Sequence, residues 1–412
     1  MASAFTFDPR EVEGYLLALA QDGACGATGV CRPVYSPAWV AAQQRLAGWA
    51  AAAGLSVRQD AVGNVWARLA GTAGGPVIAT GSHLDSQLPG GRYDGVFGAL
   101  GGVLALARLR ARFGPPKRTL EAVALCEEEG SRFPAANWWG SRAITGVIAP
   151  EEVETVTAAS GETIGQAMRA VGLDPARLGE ARRDDLDTFV ELHIEQGPIL
   201  EQEGVPVGVV LGLPGIRHYE VELTGRTDHA GGVPIDRRRD ALAAAAEIIH
   251  RTGALAREWG PPAVTTTGRL DVEPNLAAAI PGRVVFTLDA RHPVPAQVAD
   301  LWAHHEAVIA AVAARYDVAA RWRLLVDHAP CPSDPALIEL LETTAAAQGV
   351  PYITMYSGGG HDTQQLGQIA KVAMLFVQSK DGRSHTPEEY TAPEHAAAGL
   401  QVLTAALHRL AY

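Results

Sequence analysis

The sequence predicts an α/β protein in two parts: a large domain built on a sheet with helices on its faces, split by the insertion of a smaller α+β domain. Three observations carry this expectation. At 412 residues the chain is too long for one ordinary hydrophobic core. Over the first half, apolar runs of strand length alternate with helical patterns, the signature of an α/β sheet. After VVLGLPGI the strands instead alternate apolar and polar residues, which suits an antiparallel sheet with one covered face.

Taken in order, the first part reads as a helix (36–53), a strand (56–68), a second strand (76–81), a loop dense in acids and glycine, and the apolar helix 95–112. The strand TLEAVALC (119–126) follows. Between 217 and 292 come the strand HYEVELTG, the loop RTDHAGGVP and a long helix starting near Asp236. The strands AVTTTGRLDV and GRVVFTLDAR follow, with the turns EPN and IPG between them. A helix (297–314) and a strand (317–326) complete this part. Residues 213–328 are therefore expected to be the inserted domain, and 1–212 with 329–412 one split domain.

Composition narrows the class. With 47% hydrophobic and 19% charged residues and a formal net charge of -12, the chain reads as a soluble globular enzyme or binding protein. Nothing in it attracts nucleic acid, because Arg237, Arg238 and Arg239 are flanked by Asp236 and Asp240 and read as a solvated first helical turn. No signal peptide is expected from MASAFTFDPREVEGYLLALA. GVFGALGGVLALARL is shorter than the roughly 20 residues that span a bilayer, so no membrane partner is expected. Cys25, Cys31, Cys126 and Cys331 make no disulfide framework, Cys25 and Cys31 lack zinc-site spacing, and the expected location is cytoplasmic.

The loop GSHLDSQLPGGRYDG, directly after the apolar PVIAT, raises the functional question. It carries His83, Asp85 and Asp94, and a second acidic cluster, CEEEGSRF, ends the next strand. Open α/β sheets bind ligands at the carboxyl ends of strands, where such side chains converge. Imidazole and carboxylate together suit zinc, manganese, cobalt or nickel, and one carboxylate can bridge two such ions about 3.5 to 4 Å apart. His193 in ELHIEQGP and His385 in GRSHTPEEY also follow strand-like runs. A lone histidine is more often a cap or a core residue than a ligand; three histidines and two acid clusters at strand ends are a pattern.

Together GSHLDS, GGRYDG, EEEGSRF, ELHIEQGP, RTDHAGGVPIDRRRDA, FTLDAR and SGGGHD resemble the amidase/hydantoinase–carbamoylase branch of the co-catalytic metallopeptidase superfamily, which also holds aminoacylases and bacterial carboxypeptidases. The resemblance runs in order from about residue 29 to the C-terminus. It implies a mixed-sheet, zinc-peptidase-like catalytic domain with an inserted lid and dimerisation domain, hence a homodimer, and two divalent ions (Zn, Mn, Co or Ni) per subunit. His83 and His193 would hold one ion, Glu129 and His385 the other, and Asp94 would bridge them. Asp85 would accept the other ring N–H of His83, as metal-bound histidines require. Aligned on Gly130, the acid triple makes Glu128 the general base and Glu129 the ligand, leaving Glu127 a structural or solvated acid.

The resemblance extends to the substrate. His229 of TDHAGG would reach a neighbouring subunit's active site and stabilise the oxyanion. Arg291 and Asn275 would grip a substrate carboxylate, while Gln196 and the backbone of Gly358, Gly359 and Gly360 complete the pocket. SGGGHD lacks the GK[ST] of a phosphate loop, and His361 and Asp362 are pocket or structural residues. Relatives read a second asparagine where this chain has Ala278, in PNLAAAIPG, and Thr-Arg where it has Cys31 and Arg32. The implied reaction is hydrolysis of a C–N bond in a linear amide, foremost an N-carbamoyl (ureido) group on an amino acid, giving ammonia, carbon dioxide and the amino acid. Allantoate competes, since CEEEGSRFP leans towards allantoate-type members and GGRYDGV towards carbamoylases; a deacylase or dipeptidase comes after it. A catalytically dead binding protein of the same fold would be expected to lose a ligand or the base, and all six residues are present.

Overall fold

The computed structural model describes residues 5–412. Residues 1–4, which open the segment read for a signal peptide and the expected 1–212 domain, lie outside the described residues. The chain forms two compact units: the first runs to Gly212 and resumes at Pro332, and the second is Leu213–Cys331.

The first unit is built on an eight-stranded mixed sheet in the order Tyr352–Met355, Val207–Val210, Lys371–Val377, Leu186–Ile194, Val77–His83, Leu120–Leu125, Val65–Leu69, Ser56–Gln59. Four central neighbours, Lys371–Val377 through Leu120–Leu125, run parallel. Their carboxyl ends therefore share one edge. Every residue of Val77–His83 and of Leu120–Leu125 is buried, as expected of parallel strands covered on both faces. The helix Val96–Phe113 packs on them and on the neighbouring Leu186–Ile194 so closely that a Cβ at Gly98 would lie 2.0 Å from the Leu192 carbonyl oxygen. The expected single strand 56–68 is instead a hairpin. Asp60 Oδ1 accepts from the Val62 and Asn64 N–H groups and turns the chain between Ser56–Gln59 and Val65–Leu69.

In the second unit, the strands Val264–Thr266, Arg283–His292, Gly215–Thr224 and Ala319–His328 form an antiparallel sheet, and Leu270–Glu273 also pairs with Arg283–His292. The helices Ala241–Trp259 and Pro295–Arg315 cover one face, closing a core that includes Val221, Leu223, Ile248, Phe286 and Ile309. The long helix starts later than the expected Asp236. Asp240 is its cap, its Oδ1 accepting from the Leu242 and Ala243 N–H groups. Arg237, Arg238 and Arg239 thus precede the helix, and Arg238 folds back to donate to the Ala230 and Val233 carbonyls. The expected strand AVTTTGRLDV is broken into two short strands. All four cysteines are free, and among the described residues no helix is long and apolar enough to cross a membrane.

Candidate metal centre

Five of the residues picked out by the sequence meet at the shared edge of the parallel strands. His83 ends Val77–His83 and His193 lies near the end of Leu186–Ile194, while Glu129 follows Leu120–Leu125 and His385 follows Lys371–Val377. Asp94 closes the loop after His83, where Gly95 turns the chain into the next helix with φ +64°, and a Cβ there would lie 2.3 Å from the His83 ring. Only glycine lets the backbone pass this close.

The two oxygens of Asp94 face different partners. Oδ1 lies 3.4 Å from His83 Nε2 and 3.2 Å from His193 Nε2; Oδ2 lies 3.4 Å from His385 Nε2, which is also 3.4 Å from Glu129 Oε2. These are two groups of metal-ligand geometry sharing one carboxylate. The Nδ1 atoms of His83 and His193 lie 3.0 and 2.9 Å from the carbonyls of Asp85 and Ile194, bonds that require the ring proton at Nδ1. Each Nε2 then offers a lone pair, and the Gly95 N–H, 3.1 Å from His193 Nε2, agrees. Two imidazole lone pairs thus face a carboxylate oxygen that is buried without a hydrogen-bond donor. Acceptor facing acceptor needs a cation between them, so the donor set fits divalent ions.

Electrostatics point the same way. Burial alone would push the Asp94 carboxyl up, but the imidazoles of His193, His385 and His83 gathered around it hold it well below the usual range. The same carboxylate, through its hydrogen bond, raises His385 to about 9. The cluster draws positive charge.

The acid triple divides its work. Glu128 Oε1 accepts from Trp138 Nε1 at 3.0 Å, while Oε2 lies 3.6 Å from His83 Nε2, and burial pushes this carboxyl well above the usual range. Glu129 Oε2 accepts from Gln87 Nε2 at 2.8 Å. Glu127 is buried, its Oε1 accepting from the Phe133 and Arg132 N–H groups, so it is a structural acid and not a solvated one. Asp85 departs from expectation. Its backbone carbonyl, not its carboxylate, takes the His83 ring N–H; the carboxylate, 3.7 Å from Nδ1, is turned towards the acid loop, where it accepts from the Glu128 and Glu129 N–H groups at 3.3 and 3.1 Å. Asp85 therefore ties two strand ends together.

Around the centre, Gln196 Nε2 donates to Asp94 Oδ2 at 2.8 Å. A Cβ on Gly359 would lie 3.2 Å from Gln196 Oε1 and 3.6 Å from His361 Nε2, and Gly359 and Gly360 are both half-buried. His361 is buried with its ring 4.5 Å from that of His193, and Asp362 accepts from Ser141 Oγ. Trp138, Gln87, Ser384 and Glu389, all bonded to the residues above, were not singled out from the sequence.

The remaining expected residues belong to the second unit. His229 is exposed on a strand pair with Ala279, and its Nδ1 accepts from the Gly231 and Gly232 N–H groups at 3.1 and 3.0 Å. The ring proton is thereby placed on Nε2 as an outward donor. The Ala278 carbonyl accepts from the Ala230 N–H, a backbone contact that the missing asparagine side chain leaves untouched. Asn275 is exposed with φ +55°. The Arg291 fork closes on Asp289, with Nε at 3.0 Å and Nη2 at 2.8 Å.

A mixed sheet whose parallel strand ends gather a shared carboxylate, histidines and a buried acid defines a metallohydrolase-type site, and comparison with known proteins agrees. The family model described as Peptidase family M20/M25/M40 matches residues 79–409, and the chain belongs to that family. It is 40% identical to the allantoate amidohydrolase of Bacillus subtilis (strain 168), over 98% of both chains. It is 38% identical to the N-carbamoyl-L-amino-acid amidohydrolase of Paenarthrobacter aurescens, over 91% of this chain and 92% of that one. Among solved structures, an amidase of the hydantoinase/carbamoylase family from Burkholderia multivorans superposes with a TM-score of 0.90 at 36% identity, over 98% of both chains.

Proposed function

We propose that this protein hydrolyses a linear ureido acid, foremost an N-carbamoyl amino acid, using two divalent ions held at the Asp94 cluster. That it is a hydrolase of C–N bonds follows from its family and from relatives named amidohydrolases. The observation that carries the rest is the buried Asp94 carboxylate shared by two groups of metal-ligand geometry, one of which turns two imidazole lone pairs on it, with an oxygen of Glu128 beside them.

In this proposal His83 and His193 hold one ion, Glu129 and His385 the other, and Asp94 both. Zinc, manganese, cobalt or nickel bound there would lower the pKa of water to about 7 and polarise the ureido carbonyl. Glu128 takes a proton from the attacking water and returns it to the leaving nitrogen. Trp138 fixes one Glu128 oxygen, leaving the other for the transfer, and burial keeps the carboxyl basic enough to act near neutral pH. Gln196, Gly359 and Gly360 line the substrate pocket. Arg291 and Asn275 of the second unit grip the substrate carboxylate. His229 donates its Nε2–H to the oxyanion of a neighbouring subunit's substrate, so the second unit serves as lid and dimerisation domain of a homodimer and the first as the catalytic domain. Cysteine usage supports a cytoplasmic location.

Allantoate is the second substrate, favoured by the 40% identity to an enzyme named for it. The test is ammonia release by chelated enzyme, with and without added manganese, cobalt, nickel or zinc. The panel holds N-carbamoyl-L-amino acids, N-carbamoyl-β-alanine, allantoate and an N-acetyl amino acid. Metal-restored ammonia release from one ureido acid is expected; no ammonia from any of them, with acetate and free amino acid appearing from the N-acetyl compound, would overturn the proposal.

A further inference from the structure

The pose of Asp94 depends on a carboxylate to which no role has been given. Glu389 stands four residues after His385 on the same loop and is 4% exposed. Its Oε1 accepts from the N–H groups of Tyr93 and of Asp94 itself, at 2.8 and 3.0 Å. Its Oε2 lies 2.8 Å from Ser384 Oγ, and that hydroxyl lies 2.5 Å from Asp94 Oδ2. Gly91 admits the carboxylate, since a Cβ there would lie 2.1 Å from Glu389 Oε1.

Asp94 is thus held at both ends: at its backbone N–H by Glu389 directly, and at one carboxylate oxygen by Ser384, whose Oγ rests against Glu389 and whose single proton serves one of the two carboxylates at a time. An aspartate has only two side-chain torsions, so fixing the N–H and one oxygen fixes the other oxygen as well. The result is the pose in which Oδ1 faces His83 and His193 while Oδ2 faces His385. We propose that Glu389 is a positioning residue that sets Asp94 to serve both ion sites at once, from the segment that also supplies His385. This rests on the two-ion function proposed above. Its specific consequence is symmetry: a change at Glu389 affects both ions, whereas a change at Gln87, whose side-chain amide bonds Glu129, affects one.

The experiment is titration of metal-stripped, full-length protein with manganese or zinc, beside thermal unfolding of the stripped form. Residues that orient ligands typically contribute about 10- to 100-fold in metal affinity. Glu389→Ala should weaken both ions by about that factor, and Glu389→Gln, whose amide oxygen can still accept the two N–H groups, should recover most of it. Ser384→Ala should weaken both ions less, with the stripped protein melting as wild type does; Gln87→Ala should weaken one. If Glu389→Ala lowers only the melting point of the stripped protein, or weakens one ion alone, the positioning role is overturned. Should that variant not fold, unchanged affinities in Ser384→Ala overturn it instead. Wild-type protein that binds fewer than two ions would bring down the two-ion function itself, a result separable from two ions bound equally well by wild type and variants.

Discussion

The two units of this chain hold their chemistry-bearing residues in opposite ways. In the first, His83, Asp94, Glu128 and His193 are each at most 9% exposed, and each is fixed by a hydrogen bond: His83 and His193 to carbonyls of their own segments, Glu128 to Trp138 and Asp94 to Ser384 of other loops. In the second, His229 and Asn275 are exposed, and Arg291 is already engaged by Asp289. A buried polar group must find its partners inside the protein, so its orientation is settled by the fold. An exposed one is oriented only by its own loop and waits for whatever arrives.

The largest effects should come from the buried unit. Asp94→Ala is expected to remove both ions and all turnover; stoichiometric metal with full activity would break the bridging role. Glu128→Gln keeps the size and the Trp138 contact but cannot exchange a proton. It should leave the metal content intact and lower kcat by about 10²- to 10⁴-fold. A loss of metal in that variant would instead make Glu128 a ligand.

For the exposed unit the expectation is smaller and different in kind. His229→Ala should cost about 10²- to 10³-fold in kcat, as removal of one oxyanion donor does, with metal content and oligomeric state unchanged. Unchanged turnover would leave His229 as a loop residue bonded to Gly231 and Gly232. Arg291→Ala should raise KM for carboxylate-bearing substrates by about 10- to 100-fold, the range of a charge-assisted hydrogen bond. An equal rise for an uncharged amide would remove the carboxylate grip.

The same contrast explains what was legible in the sequence. Strands buried on both faces show as continuous apolar runs, so their ends, and the histidines and acids placed there, could be located from the chain alone. The α/β class followed from those runs, and the mixed sheet from the family resemblance that the motifs between them carry. The partners that orient the cluster were hidden because nothing local distinguishes them. Glu389 looks like any second acid of a PEE turn, Trp138 like a core tryptophan, and Asp85 reverses the use of its carbonyl and carboxylate. The 56–68 hairpin was hidden by strand residues on both sides of a turn too short to stand out. One missed contact did leave a signal: Asp289 and Arg291 are two apart on a strand and so share a face, a spacing that announces an ion pair before any substrate is considered.

That ion pair gives the smallest and sharpest test. Burial alone would push the Asp289 carboxyl up, but the His218 ring 3.2 Å away and the Arg291 fork outweigh it and hold it at about 2, below the usual 3.8. A carboxylate depressed in the folded state contributes stability that is complete above its unfolded value and is lost as pH falls through its folded value, here from about 4 down to about 2. The shift corresponds to about 2 kcal/mol at pH 7. Asp289→Asn should therefore lower the urea midpoint at pH 7, and its gap to wild type should narrow steadily when both are unfolded at pH 4, 3 and 2.5. A gap that stays constant through this range would mean that Asp289 stabilises the second unit by shape and not by charge. Arg291 would then be held only loosely by its neighbour, and the contrast between a preassembled first unit and a receptive second one would be stronger than the ion pair now makes it.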